Sequence, residues 1–100
     1  MRSVWFLPEA VSDLEEAAGW YSRQELGLGE VFEAAVEAKL TQVASEPRAF
    51  PVALGRIRRA LLSRFPYGLF YLEEADRIVV VACLHAAQDP RSWKRRAGGS

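Results

Sequence analysis

The residues best suited to chemistry follow the last apolar run, in the stretch CLHAAQDPRSWKRR. His85 is the only histidine, and Asp89 lies four residues after it. A carboxylate that orients an imidazole is the arrangement of a general base. Alternatively, His85 caps a strand end and Asp89 bonds the backbone of a turn. Of these two interpretations of His85 we favour the structural one. The serines lie in no nucleophile-elbow motif, so a catalytic triad could be assembled only by free choice of residues.

Basic residues form a second candidate site, in two groups. The first group lies on or beside one predicted strand and contains Arg56, Arg58, Arg59 and Arg64. The second follows the last apolar run and contains Arg91, Lys94, Arg95 and Arg96. A guanidinium binds phosphate in a fork, so a sheet face that carried both groups would bind RNA or DNA. The alternative is that these charges protect sheet edges against aggregation.

Other kinds of site find no support in the sequence. No cysteines or histidines have the spacing of metal ligands, and the GLG at residues 27–29 lacks the rest of a phosphate loop. The single cysteine, Cys83, lies in the apolar run VVVACL. We interpret it as a small buried strand residue rather than a reactive thiol. We therefore expect no metal and no cofactor.

Composition predicts one small domain with an uneven charge distribution. Half of the 100 residues are hydrophobic, which is enough for a single modest core. Residues 1–50 contain nine acidic and four basic residues, and residues 51–100 reverse these numbers. This asymmetry indicates an anionic partner for the second half, or else two solvated faces. The N-terminal run VWFL is too short for a signal sequence or a membrane span, so we expect a cytoplasmic protein.

The first half predicts a strand followed by a helical hairpin. Residues 4–7 form a short apolar run that Pro8 ends. A helical stripe of apolar residues then leads to the GLG at residues 27–29, which we interpret as the loop. The second helix is predicted over residues 30–45 and ends before Pro47. At the end of this hairpin, Trp20 is either a core residue or a rim anchor for a partner.

The second half changes to the period of strands. The segment PRAFPVALG is predicted to be a loop, and strands are expected over residues 57–62, 67–73 and 78–84. The run IVVVACL is apolar without alternation, so this strand should be central and buried on both faces. The fold class is therefore α+β, with an N-terminal strand, an antiparallel helical hairpin, and three antiparallel strands in a small sheet packed on the helices. We expect one domain over residues 1–96 and a flexible tail over residues 97–100.

Four stretches together resemble the RelE/ParE family of toxins from bacterial type II toxin–antitoxin modules. They are A..DLEEAAGWY, LG..F...V...L......P..FP, RRALLSRFPYGLFYLEEADRIVVVACLH and DP..W..R. The resemblance extends over residues 6–96 and lies in their order and spacing. It implies the same hairpin on an antiparallel sheet. It also implies a cognate antitoxin, through which alone the complex binds operator DNA.

The family divides by target, and one departure favours the ParE-like branch. RelE-like members cut messenger RNA on the ribosome and carry a basic residue after the last strand, often with a tyrosine or histidine near the C-terminus. At these positions this chain has Ala87 or Gln88, and Trp93. Neither alanine nor glutamine can neutralise a phosphorane as arginine does, and an indole only donates. If the protein were a ribonuclease, the candidate catalytic residues would be Arg59, Arg64 and His85.

The resemblance thus implies a growth-inhibiting toxin, of the kind associated with plasmid stabilization, that acts without nuclease chemistry on DNA gyrase. The alternatives are a ribosome-dependent mRNA endoribonuclease and an inert antitoxin-binding module. We expect an acidic, partly disordered antitoxin and no membrane partner. Its predicted contacts are Trp20, Tyr21, Leu28, Phe32 and Arg58. The predicted target contacts are Arg56, Arg59, Arg64, Arg91, Trp93, Lys94, Arg95 and Arg96.

Overall fold

The first half of the chain forms the predicted strand and helical hairpin. In the computed structural model, which describes residues 2–88, β1 spans Ser3–Phe6, α1 spans Pro8–Gln24 and α2 spans Leu28–Ser45. Pro8 lies in the first turn of α1, where its missing N–H costs nothing. The predicted loop was too long, because Leu28 and Gly29 already belong to α2. Gly27 has a left-handed backbone conformation with φ of 84°, and it turns the chain just before α2 begins.

The second half contains one strand more than the sequence predicted. A 3₁₀ turn at Pro47–Ala49 precedes four strands, which are β2 (Val52–Leu54), β3 (Ile57–Leu61), β4 (Tyr67–Glu73) and β5 (Arg77–His85). The prediction of a plain loop for PRAFPVALG was therefore wrong. The three residues of β2 are too few to display an alternating pattern, and pairing with β3 makes them a strand.

The five strands form one sheet in the order β1-β5-β4-β3-β2. β1 pairs in parallel with β5, which follows it in the chain only after the helical hairpin and three further strands. The other pairs are antiparallel. The central position predicted for the last strand is confirmed, since β5 lies between β1 and β4 and is buried along most of its length. Val81 is an extra residue in β5, because Phe70 pairs with Ala82 and Tyr71 pairs with Val80.

Both helices pack on one face of the sheet. The main core there joins alanines of α1 with Phe32 of α2 and with Leu69, Val80 and Cys83 of the sheet. A close approach brings α2 onto α1. A Cβ on Gly29 would lie 2.0 Å from the Ser22 Oγ and 2.8 Å from the Ala18 carbonyl oxygen, so only glycine fits. This contact holds the start of α2 close against α1.

The other face of the sheet carries a second apolar cluster. Its buried members are Ile57, Phe70, Val81, Ala82 and Leu84. Ile57 of β3 lies in this cluster, whereas Ala60 of the same strand lies in a cluster with Val43 of α2. Side chains along β3 therefore alternate between the two faces of the sheet, and Arg59 lies with Ile57 on the face that points away from the helices.

The buried Tyr71 hydroxyl and Cys83 thiol should make the fold less stable at alkaline pH. Burial raises the pKa of the Tyr71 hydroxyl to about 12, and this hydroxyl donates a hydrogen bond to the Pro47 carbonyl. Burial, helped by the charge of Asp13, raises the pKa of the Cys83 thiol to about 12. In the unfolded chain these groups lose their protons near their ordinary pKa values of 10 and 9, so proton release favours unfolding above pH 9.

We expect these two groups to leave the free energy of unfolding unchanged below pH 9 and to lower it progressively between pH 9 and pH 12. Tyr71 alone should account for roughly 2–3 kcal/mol, at about 1.4 kcal/mol per unit of pKa difference. Urea unfolding followed by circular dichroism between pH 8 and 11 measures this loss. A Tyr71→Phe/Cys83→Ala variant should be less stable at pH 8 but should show a shallower decline. If the free energy of unfolding of this variant fell as steeply with pH as that of the original protein, other groups would be responsible for the loss.

Candidate partner-binding site

Aromatic side chains converge where the end of the hairpin meets the sheet. The Tyr21 ring of α1 is stacked on Phe32 of α2, with centroids 5.3 Å apart, and meets Phe65 edge-on at 4.8 Å. Tyr67 of β4 contacts both Tyr21 and Phe32, at 6.0 and 5.3 Å. Partial burial raises the pKa of both tyrosine hydroxyls above their ordinary value. The cluster therefore forms a rigid apolar base of neutral aromatic rings.

An open cleft of about 510 Å³ lies beside this cluster, between α1 and the end of β5. Trp20 forms one wall and is 49% exposed, with its ring edge-on to Tyr21 at 5.0 Å. Tyr67 and His85 form the opposite wall, with ring centroids 5.4 Å apart. We call this site the aromatic cleft. Its remaining lining includes Asp13, Glu16, Arg23, Pro66 and Gln88.

Asp13 joins the two sides of the aromatic cleft. Its Oδ2 accepts a hydrogen bond of 3.0 Å from the backbone N–H of Cys83, two residues after the extra residue Val81. A carboxylate on α1 thus bonds the backbone of the central strand. No sequence pattern points to Asp13, because it lies outside the apolar stripe and no local pattern shows which backbone group an acid will meet.

His85 has the hydrogen bonds of a strand-end cap. Its Nδ1 accepts from the Ala87 N–H at 3.0 Å, and its own N–H donates to the Gln88 Oε1 at 2.8 Å. In the neutral ring the proton therefore lies on Nε2. A base of the His–Asp type needs the proton on Nδ1, facing the carboxylate. The geometry favours the capping interpretation, and Asp89 lies outside the described residues.

The structure does not bring the three candidate catalytic residues into one site. His85 faces the helices, because its ring lies against Tyr67 and lines the aromatic cleft. Arg59 lies on the opposite face of the sheet, where its side chain runs over Gly68. Arg64 lies in the exposed bend before β4. Two of the three candidates are therefore separated by the thickness of the sheet.

The predicted antitoxin contacts fall into three different environments. Trp20 is half exposed, and Tyr21 and Leu28 are partly buried around the same end of the hairpin. Phe32 has no exposed surface, so it supports this region from beneath and offers no surface to a partner. Arg58 lies beside Tyr71 of β4. Tyr71 is four residues along the strand from Tyr67, so Arg58 is roughly 13 Å from the aromatic cleft in the strand direction.

The predicted target contacts are also dispersed. Arg56 lies in the turn between β2 and β3, Arg59 lies on the outer face of the sheet, and Arg64 lies in the bend before β4. They do not form one continuous surface along β3. Arg91, Trp93, Lys94, Arg95 and Arg96, like the predicted tail at residues 97–100, lie outside the described residues.

A second cleft at the opposite end of the sheet gathers arginines around one carboxylate. Glu73 Oε2 lies 2.9 Å from Arg2 Nη2, and Oε1 accepts from Arg48 Nε at 3.0 Å. Arg58 Nη1 donates to the Phe50 carbonyl oxygen at 2.7 Å. The hydrogen bond and charge of Arg48, followed by the charges of Arg2 and Arg58, lower the pKa of Glu73. We call this site the arginine cleft, and it is lined by Arg2, Arg48, Val52, Gly55, Arg56, Arg58, Glu73, Glu74 and Ala75.

No local sequence pattern indicates that Arg2, Arg48 and Glu73 belong to one site. They come from the N-terminus, the turn after α2 and the end of β4. Their sequence separations, for example 25 residues between Arg48 and Glu73, match no local motif. The excess of basic residues in the second half does not reveal them either, because Arg2 and Arg48 lie in the acidic first half and Glu73 is itself an acid.

Other kinds of site remain without support within residues 2–88. In this range no group of three or more metal-binding side chains comes together, and no helix is long and apolar enough to cross a bilayer. Cys83 is free and buried, with its thiol pKa raised to about 12, which confirms its interpretation as a structural residue. A thiol so rarely ionised is a poor nucleophile.

One comparison with known protein families identifies a family for this chain. The family model described as the ParE toxin of the type II toxin–antitoxin system, parDE, matches residues 4–90. No curated protein matches the chain closely enough to count as a relative. Among solved structures, a chromosomal ParDE system from P. aeruginosa is 20% identical, with a TM-score of 0.61 over 85% of this chain and 96% of that chain.

The RelBE2 toxin–antitoxin complex from Mycobacterium tuberculosis is also similar, at 20% identity. Its TM-score is 0.59, over 84% of this chain and 96% of that chain. At this identity both likenesses show the fold alone, and they bear out the fold expected from the sequence. The family model spans most of the chain, including both helices, β2 to β5 and all of β1 except Ser3. This chain is therefore a member of the ParE toxin family of type II toxin–antitoxin systems.

Proposed function

We propose that this protein arrests growth by inhibiting DNA gyrase and that a cognate antitoxin neutralises it. The observation that carries the proposal is the match to the ParE toxin model over residues 4–90. The separation of His85 from Arg59 by the sheet supports a mechanism without nuclease chemistry. In this proposal the protein acts in the cytoplasm, and its module stabilises the replicon that carries it.

The proposed antitoxin binds at the aromatic cleft. Trp20 offers a large exposed ring on a rigid aromatic base, which is the form of an interface hot spot. The solved structures that the chain resembles are described as a ParDE system and as a RelBE2 toxin–antitoxin complex. We propose that the antitoxin is partly disordered alone, folds on binding, and provides the only contact with operator DNA.

Induced expression of the chain without its antitoxin tests the proposal. We expect growth to stop and purified protein to inhibit supercoiling by DNA gyrase at micromolar concentration. A parallel assay follows cleavage of messenger RNA on purified ribosomes, with Arg64→Ala as the variant. Cleavage that this substitution abolishes would replace the proposal with a ribosome-dependent endoribonuclease. Normal growth at high levels of folded protein would instead identify an inert antitoxin-binding module.

A further inference from the structure

We infer that the arginine cleft binds the carboxylates of an extended acidic segment of a protein partner. Its lining contains four arginines but only two carboxylates, those of Glu73 and Glu74, so the cleft has a net positive charge. If the partner is the proposed antitoxin, this inference rests on the proposed function and adds a second contact at the far end of the sheet from the aromatic cleft. The binding reaction itself requires only the arginines and an acidic chain.

The charges inside the arginine cleft leave positive groups available. Glu73 forms ion pairs with Arg2 and Arg48, and Glu74 accepts a hydrogen bond of 2.8 Å from the Nε of Arg77. Arg56 is exposed and takes part in no ion pair within residues 2–88. Arg48 is also largely exposed, with Nε bound to Glu73. A guanidinium has five donors in a planar fork, so these side chains can still bind a carboxylate in two-point geometry.

One donor in the arginine cleft is buried but unsatisfied. The Nε of Arg2 has no hydrogen-bond partner within the described part of the chain, although it is inaccessible to solvent. Buried polar groups of native proteins are nearly always paired, so such a donor marks a place where an acceptor is missing. An incoming carboxylate that displaced or shared Glu73 would supply that acceptor.

The strand beside the arginine cleft favours an extended ligand. Among residues 2–88, β2 lies at the edge of the sheet, with β3 as its one neighbour in the strand order. Val52 lines the cleft and is 53% exposed, an apolar contact between charged side chains. An added strand would pair with the free backbone edge of β2 and would present alternate side chains toward the arginines.

A peptide fits this surface better than a nucleic acid does. The positive patch is short, because Glu73, Glu74 and Asp76 lie within or beside it and would repel a long row of phosphates. The other arginines of β3 and its following bend, Arg59 and Arg64, lie outside the cleft lining and cannot extend the patch. Two or three carboxylates on an extended chain match the number of available guanidinium groups.

A titration followed by NMR tests the inference on the full chain. The probe is an eight-residue peptide of alternating valine and glutamate, and its counterpart carries glutamine in place of glutamate. We expect the glutamate peptide to shift the amide signals of Val52, Arg56 and Arg58 in a saturable way. The glutamine peptide should bind at least about ten-fold more weakly, since it lacks the charge-assisted hydrogen bonds. Absence of saturable shifts at these amides would overturn the inference.

Two arginine-to-glutamate variants and a single-stranded DNA test whether binding is specific to the arginine cleft and to a peptide. Arg56→Glu should weaken binding of the glutamate peptide at least about five-fold, whereas the same change at the exposed Arg64, which lies outside both clefts, should alter it less than about two-fold. Equal effects would overturn the inference in favour of general charge attraction. A ten-nucleotide single-stranded DNA that bound the same amides as tightly would overturn it in favour of a nucleic acid. None of these outcomes depends on toxicity, so failure here is distinguishable from failure of the proposed function.

Discussion

Replacing Phe32 with alanine is expected to lower the free energy of unfolding by about 3–5 kcal/mol. Phe32 is fully buried and stands at the centre of the main core, in ring contact with Tyr21, Phe65 and Tyr67. The substitution leaves a cavity that these rings can fill only in part, because each is also held by its own strand, helix or bend. Small domains have a total stability of only about 5–15 kcal/mol, so the variant should be partly unfolded at 37 °C.

Urea unfolding followed by circular dichroism measures this loss. Val31→Ala is the matched control, since Val31 is the preceding residue of α2 but lies on its exposed side. That change should alter the free energy of unfolding by less than about 0.5 kcal/mol. If the two substitutions cost the same, Phe32 does not hold the hairpin on the sheet and the aromatic cleft has no rigid base.

Replacing Trp20 with alanine is expected to weaken antitoxin binding by about 2 kcal/mol or more, which is about 30-fold in Kd. Half of the Trp20 side chain is exposed in the free toxin, so a partner can bury it. Its ring is held edge-on against Tyr21, so little side-chain freedom is lost on binding. Titration calorimetry with the purified antitoxin measures the change, and the loss should appear mainly as faster dissociation.

The control for Trp20 is another exposed tryptophan. Trp5 of β1 is 56% exposed and lies under the Arg77 guanidinium, 5.1 Å from the ring centroid. Trp5→Ala should leave antitoxin affinity within about two-fold of the original value. If Trp20→Ala instead unfolds the toxin as Phe32→Ala does, Trp20 is part of the core and the proposed interface is misplaced. Equal losses from both tryptophans would extend the interface to β1.

The sequence by itself determined the elements whose identity depends on neighbours along the chain. Pro8 suits the first turn of α1 and Gly27 suits the loop between the helices, because the backbone restriction of proline and the backbone freedom of glycine are local properties. The unbroken apolar run of β5 predicted a strand buried on both faces, and β5 is indeed central. Burial of Cys83 followed from the same run. Periodicity over several residues is enough for such predictions, since one pattern recurs at each turn or pleat.

Tertiary structure alone decided which side chains meet. Arginines 56, 58 and 59 are close in sequence, yet the pleat sends Arg59 to the outer face and the β2–β3 turn assigns Arg56 and Arg58 to the arginine cleft. That cleft is completed by Arg2, Arg48 and Glu73, which only the folded chain brings together. β2 likewise exists because β3 pairs with it. Local patterns specify which face a residue takes within its own element, whereas contacts between distant segments depend on how the elements pack, and no short-range period encodes that packing.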